Sequence, residues 1–247
     1  LGTNEGIDII TVDENYSIKK IKHIDLNFDL RNNLVTSFCK YDGKIFVSTF
    51  KGDIGIFDGH SKKLVNALTI NSTLVNDLSI VGNELWIATS AGLTTYNLVT
   101  KEFKDKQELD DRIVIRIHQD ENGLVWIGTR ESGLWLYDKK VIKKLDSQIN
   151  HNSPTSFCND KEGNLWIGTE GGGLYKKEGN KFTNYNVSKG LISDYITLLA
   201  CDSTGIIWAG TNMGLVKINL KENSYLNYGI QEGFTSIETK TNAVFND

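Results

Sequence analysis

Apolar and polar positions alternate in short runs along the whole chain, and the runs recur in a fixed order that is clearest between Ile113 and Leu145. Ile113 to Gln119 alternates with the two-residue period of a half-buried strand, Asp120-Glu-Asn-Gly123 makes a tight turn, and Val125 to Thr129 returns as a second strand. Arg130-Glu-Ser-Gly133 turns the chain again, and Leu134 to Tyr137 and Val141 to Leu145 supply a third and a fourth strand. The same order recurs in Thr155 to Phe182 and Ile196 to Leu226, and more loosely in Val35 to Ala67 and Asn76 to Phe103. Asp160-Lys-Glu-Gly163 and Asp202-Ser-Thr-Gly205 repeat the first turn, where the Asp is expected to accept its own backbone amides and the Gly to supply positive φ.

Each second strand ends in a near-copy of Trp-Ile-Gly-Thr, followed within a few residues by Gly-Leu and an aromatic residue. The anchoring threonines are Thr3, Thr49, Thr89, Thr129, Thr169 and Thr211. A period of about forty residues with several short strands per repeat predicts an all-β fold, a β-propeller of six four-stranded blades in one domain spanning residues 1–247. Leu1 to Thr3 read as the end of a second strand, and Thr241 to Asp247 as a first strand. The ring is therefore expected to close by one C-terminal strand pairing with three N-terminal strands, which removes exposed sheet edges. The rival is a piece of a longer array completed by further repeats.

Composition adds limits. An apolar fraction of 39% is enough for a core without metals or disulfides. The net charge of −4 offers no general attraction to nucleic acid or anionic membranes, and neither partner is expected. No apolar run approaches the length of a membrane span. No signal or transit sequence opens the chain, which is expected to be a mature or excised piece whose address label, if any, lies outside it.

The pattern Asp-x-x-Gly-x-x-Trp-Ile-Gly-Thr-x-x-x-Gly-Leu, present as Asp120 to Leu134 and Asp160 to Leu174, resembles the repeats of two-component regulator propellers. The tail Asn227 to Phe234 and the segment Asn242 to Asp247 look like further pieces of the same family. The resemblance implies an extracytoplasmic sensor of a histidine kinase or related receptor, one that often detects carbohydrates or other nutrients and commonly dimerises. Departures are Phe46 in place of Trp, Ser48 and Ala88 in place of the Gly before Thr, and shortened first turns in the second and third repeats.

Repeated residues are read first as scaffold. Trp86, Trp126, Trp166, Trp208 and Phe46 share one strand position and are expected to pack between blades. Gly128, Gly168 and Gly210 are expected to permit close blade approach, and the threonine hydroxyls to bond within or between blades. Ligand-binding candidates are sought where the repeat varies, in the turns between second and third strands. On this reading those turns surround the mouth of a central channel. Arg130, Glu131, Glu170 and Lys51 would give oriented polar contacts to a sugar or an acidic ligand, Trp135 a stacking face, and Asn4 and Asn212 further polar groups. Arg31, Arg112 and Asp194, in the blade connections, are weaker candidates.

Glu170-Gly-Gly-Gly173 lacks the helix and Lys-Ser/Thr of a phosphate loop. The hairpin acids lack calcium-loop spacing, and His23, His60, His118 and His151 lack zinc spacing, so neither metal nor cofactor is expected. No nucleophile lies in a local catalytic signature, so the chain alone is expected not to be an enzyme. Cys39, Cys158 and Cys201 are expected to be free thiols, with Cys158 and Cys201 pointing to opposite faces of adjacent blades. The favoured function is a sensor that binds a ligand or partner and passes occupancy to an output domain outside the chain. The alternatives are a propeller enzyme, such as a lyase or a glycan-active hydrolase, and a pure interaction scaffold.

Overall fold

A computed structural model describes residues 1–14, 17–26, 30, 33–70, 74–145, 149, 153–222 and 224–233. The alternating runs form five four-stranded antiparallel sheets and one two-stranded sheet. Within each four-stranded sheet the strands lie side by side in chain order, as successive hairpins require. Blade two comprises Val35–Tyr41, Lys44–Thr49, Asp53–Asp58 and Leu64–Thr69; blade three comprises Val75–Val81, Glu84–Thr89, Gly92–Asn97 and Phe103–Asp105. Blade four comprises Val114–Gln119, Val125–Thr129, Gly133–Tyr137 and Ile142–Lys144. Blade five runs through Pro154–Asn159, Leu165–Thr169, Leu174–Glu178 and Lys181–Tyr185, and blade six through Ile196–Cys201, Ile207–Thr211, Gly214–Asn219 and Ser224–Tyr228. Blade one shows Ile7–Val12 paired with Ile18–Ile24, and Gly2 forms a bridge to Ile7. Its expected closing strand, 241–247, lies outside the described residues. The fold is a β-propeller with six blades. The chain divides into two compact units, Leu1–Ile113 with blades one to three and Val114–Asp247 with blades four to six.

Burial is greatest on the second strands. Val125–Thr129 and Leu165–Thr169 are buried at every position, because both sheet faces are covered, so these strands are continuously apolar rather than alternating. The outer Phe103–Asp105 is exposed throughout.

The repeat's conserved-looking positions have separate physical jobs. All six anchoring threonines donate a hydroxyl hydrogen bond to the carbonyl three or four residues on, closing the second turn, among them Thr129 to Gly133 at 2.7 Å, Thr169 to Gly173 at 2.8 Å and Thr211 to Gly214 at 2.9 Å. Thr3, Thr49 and Thr89 do the same toward Gly6, Asp53 and Gly92. A Cβ on Gly128 would come within 2.4 Å of the Pro154 carbonyl oxygen of the next blade, and one on Gly168 within 2.5 Å of Ile196 Cγ2. Trp126 packs against Phe157, Leu165, Ile167 and Tyr175 of blade five, Trp166 against Ile196, Leu199, Ile207 and Ala209 of blade six, and Phe46 against Val75, Leu78, Leu85 and Ile87 of blade three.

One regular feature has no mark in the repeat pattern. The first strand of each of blades two to six is bulged near its start, between Val35 and Ser37, Val75 and Asp77, Val114 and Arg116, Pro154 and Ser156, and Ile196 and Leu198. A bulge bends its strand and redirects one side chain. In blade five the side chain is Thr155, whose hydroxyl donates to the Ile196 carbonyl of blade six. A related link joins Ser37 to Asp77 at 2.8 Å, again one repeat apart.

Cys158 and Cys201 lie on opposite faces of adjacent blades, as expected, but this brings them together rather than apart. Opposite faces of successive blades look at one another, so both thiols meet the cluster that holds Trp166 and Ile207. All three cysteines are free thiols. Burial pushes the Cys39 thiol up to about 12, with the Asp77 charge adding to the effect, and burial raises Cys158 and Cys201 as well. Raised thiols hold little of the reactive thiolate.

Candidate functional site

The turns between second and third strands of blades four to six combine a fixed backbone with exposed side chains. In blade four Glu131 takes a left-handed conformation, φ 62°, ahead of Gly133 at φ 83°. The Glu131 amide donates to Ser153 Oγ at 3.2 Å. In blade five the Glu170 amide donates to the Ser153 carbonyl at 3.0 Å, and the amides of Gly171 and Gly173 both donate to the Asp194 carbonyl, at 3.1 and 2.9 Å. In blade six Ser193 Oγ donates to Asn212 Oδ1 at 2.6 Å. Each turn is thus tied to the connection that leads into a following or preceding strand, which limits its backbone freedom. Arg130, Glu131, Glu170 and Asn212 are all exposed.

The structure separates the sequence candidates. Arg130, Glu131, Glu170 and Asn212 belong to the unit Val114–Asp247, whereas Asn4 and Lys51, also exposed, belong to the other unit. Trp135 is only 8% exposed, and its indole donates to the Ser132 carbonyl at 3.2 Å, so it presents no open face for stacking. Asp194 accepts the Val187 amide at 2.8 Å through its carboxylate, besides the two glycine amides at its carbonyl, which makes it a latch of the connection. Arg112 is half-buried, and its backbone amide caps the short turn at Leu109. Arg31 lies outside the described residues.

The opposite strand ends carry a second constellation that the sequence reading divided into unrelated parts. In blade five Asp160 Oδ1 accepts the amides of Glu162 and Asn164 at 3.1 and 2.8 Å, while Oδ2 accepts the Trp166 indole at 3.0 Å. Blade four repeats the clip with Asp120 and Trp126 at 2.9 Å, and blade six with Asp202 and Trp208 at 3.0 Å. The six-residue step from Asp to Trp in the motif is the signal of this clip. A lysine also covers each of these rings, with Lys177 5.2 Å from Trp126, Lys176 5.6 Å from Trp166 and Lys217 5.6 Å from Trp208. Among the described residues no group of three or more acidic, His or Cys side chains is placed to hold a metal ion.

A family model described as two component regulator propeller matches residues 108–131, 148–171 and 190–213. These three segments are similar to two-component regulator propeller repeats. They run from the blade connection through the clip and the Trp-Ile-Gly-Thr strand, into the second turn, so the matched region coincides with the hydrogen-bonded framework above. No curated protein matches the sequence. Among solved structures, the extracellular domain of the one component system BT4673 from B. thetaiotaomicron superposes with a TM-score of 0.77 at 20% identity, over 96% of this chain and 33% of that one. The chain thus spans about a third of that protein's length. Virginiamycin B lyase from Staphylococcus aureus superposes with a TM-score of 0.74 at 11% identity, over 98% of this chain and 89% of the lyase. PorZ of Porphyromonas gingivalis, a surface component of the type-IX secretion system, gives 0.63 at 11% identity, over 83% of this chain and 35% of PorZ.

At these identities the likeness is one of fold. It nevertheless corrects one expectation: an enzyme occupies the same fold over nearly the whole chain, so the inference that this chain is not an enzyme is overturned as a deduction from architecture and missing local motifs. Propeller catalysis can draw its groups from several blades, and no short signature need mark them.

Proposed function

We propose that this chain is the ligand-recognition propeller of an extracytoplasmic sensor in a two-component signal-transduction receptor, with the output activity in chain outside this segment. The repeat match and the fold shared with the extracellular domain of a one component system support the class. The observation that carries the site is the contrast in the second turns. Their amides are pinned to Ser153 and Asp194, while among the described residues the side chains of Arg130, Glu131 and Glu170 form no hydrogen bond or ion pair. With the backbone already fixed, only the side-chain rotamers remain to be ordered on binding, which suits recognition of a carbohydrate or another small polar nutrient. Occupancy then signals only through a difference in affinity between receptor states, for which pairing of two copies would supply the second state.

A thermal-shift screen with neutral oligosaccharides, uronic acids and small carboxylates tests this reading, since a ligand confined to the folded state raises the melting temperature. A stabilising ligand is expected, and Arg130→Ala and Glu170→Gln are expected to weaken its effect. No stabilisation by any member, or shifts equal in wild type and both variants, overturns the assignment. Mass spectrometry of each ligand after incubation separates binding from turnover.

A further inference from the structure

Among the four-stranded blades the repeat departs furthest from its pattern in blade two, and a cleft lies where it departs. In blades four to six the first turn carries the Asp that accepts the Trp indole, and blade three retains the pairing in another form, with Trp86 donating to Glu84 at 3.1 Å. Blade two has Phe46, which has no N–H to donate. Its first turn shrinks to Asp42-Gly43, both at positive φ, 47° and 69°, between the paired residues Tyr41 and Lys44. That is the two-residue hairpin that Asp-Gly favours.

Beside this hairpin is a cleft of about 420 Å³, lined by blade two and by Tyr96, Leu98 and Lys101 of blade three, all within one compact unit. It opens at the strand ends opposite the second turns. Its floor is apolar and deep: Phe46 is 2% exposed, Tyr96 6% and Ile56 7%. Its edge is charged. Asp42, Lys44 and Lys101 are exposed and Asp58 half-buried, so two carboxylates and two ammonium groups surround the opening. Asp58 is committed to the Ser61 amide at 2.6 Å, and Lys101 to the Leu98 carbonyl. Among the described residues, the side chains of Asp42 and Lys44 make no hydrogen bond or ion pair.

We propose that this cleft binds a small zwitterion with an apolar side chain, an α-amino acid or a dipeptide. The cleft falls within the size range of small-ligand pockets, and a largely polar rim surrounds a narrow apolar base. Opposite charges held side by side disfavour a simple anion or cation, which would gain from one partner and lose to the other. They suit a molecule whose ammonium meets Asp42 and whose carboxylate meets Lys44. The buried aromatic floor does not offer a flat open ring for a sugar to stack on, but it does accept a hydrocarbon or aromatic side chain inserted end-on. This site lies apart from the second turns and holds or fails independently of the receptor reading.

Calorimetry and saturation-transfer NMR on the intact chain with L-phenylalanine, L-leucine and leucyl-phenylalanine test the proposal. Binding is expected in the millimolar to high-micromolar range, about what ligands of this size reach. Phenylacetate and phenethylamine, each with one charge, are expected to bind more weakly than L-phenylalanine. Asp42→Asn keeps a residue that suits the same hairpin, and Lys44→Gln keeps the stem. Each is expected to weaken binding by about twofold to fivefold, as removal of one exposed ionic partner should. Arg130→Ala is expected to leave it unchanged. The proposal is overturned if none of the three zwitterions binds, if Asp42→Asn and Lys44→Gln bind as wild type does, or if Arg130→Ala abolishes binding. The last result would move the ligand to the second turns and leave the receptor reading standing.

Discussion

Blade five and blade two follow the same four-strand plan and fasten its first turn in different ways. In blade five, Asp160 is 5% exposed and accepts two amides, the Asn164 side chain and the Trp166 indole, so one carboxylate ties the turn to the blade's largest buried ring. In blade two, Asp42 is exposed in a two-residue hairpin and Phe46 offers no donor. The difference teaches that Asp and Trp in this repeat form one unit. A buried carboxylate needs its donors, so losing the indole removes a reason to fold the acid inward; blade three, whose first turn is as short, keeps its indole and supplies Glu84 as the acceptor instead.

The largest expected effect tests the packing between neighbouring blades. Trp166→Ala should destabilise by about 3–5 kcal/mol through lost burial and the cavity left at the interface of blades five and six. Urea denaturation measures it, and an unchanged midpoint would contradict the packing assignment. Asp160→Ala should cost about 2–3 kcal/mol, because it leaves the buried indole and two part-buried amides without an acceptor, whereas Asp42→Ala should cost under about 1 kcal/mol. Equal costs in the two blades would break the comparison.

Gly128→Ala should cost about 1–3 kcal/mol by forcing Pro154 away, since the glycine sits in a strand and its φ imposes nothing. Blade four would then separate from blade five, visible as faster amide exchange along Pro154–Asn159.

The clip also predicts a pH dependence in blade six. Burial by itself would raise the Asp202 carboxyl, but the Thr204 hydroxyl, the Trp208 indole and the amides of Ile206 and Thr204 together outweigh it and hold it at about 2. An unfolded aspartate titrates near ~3.9, so the stabilisation is complete above about pH 5 and is lost as pH falls toward 2. Trp208→Phe should flatten that loss. An acid profile that is the same in wild type and variant would exclude the indole as a contributor. The smallest effect concerns the ring covers: Lys177→Met should cost about 0.5–1 kcal/mol, less in high salt, if its ammonium over Trp126 contributes as a cation–π partner.

Much of the fold was legible because its determinants are local. Alternation marked the strands, and the step of about forty residues between threonines marked the blades, since each threonine bonds only three or four residues ahead. The first-strand bulges were not legible, because nothing in a bulged residue such as Thr155 or Asn76 distinguishes it from its neighbours until the opposing strand is in place. The candidate site was legible in part. Arg130, Glu131 and Glu170 stand exposed on their turns, but Trp135, read as a stacking face, is inside, and Asp194 is spent on backbone amides.

The sequence by itself determined the strand order, the turn chemistry and the number of blades, because hairpins, Asx turns and the threonine bond act within a few residues. Tertiary structure alone decided what faces what. It brought Cys158 and Cys201 to one cluster, set Gly128 against Pro154, and left a charged-rimmed cleft beside Phe46. Those outcomes join residues one repeat apart, and whether such residues meet depends on how one blade's face is turned toward the next, a relation that no window of local sequence contains.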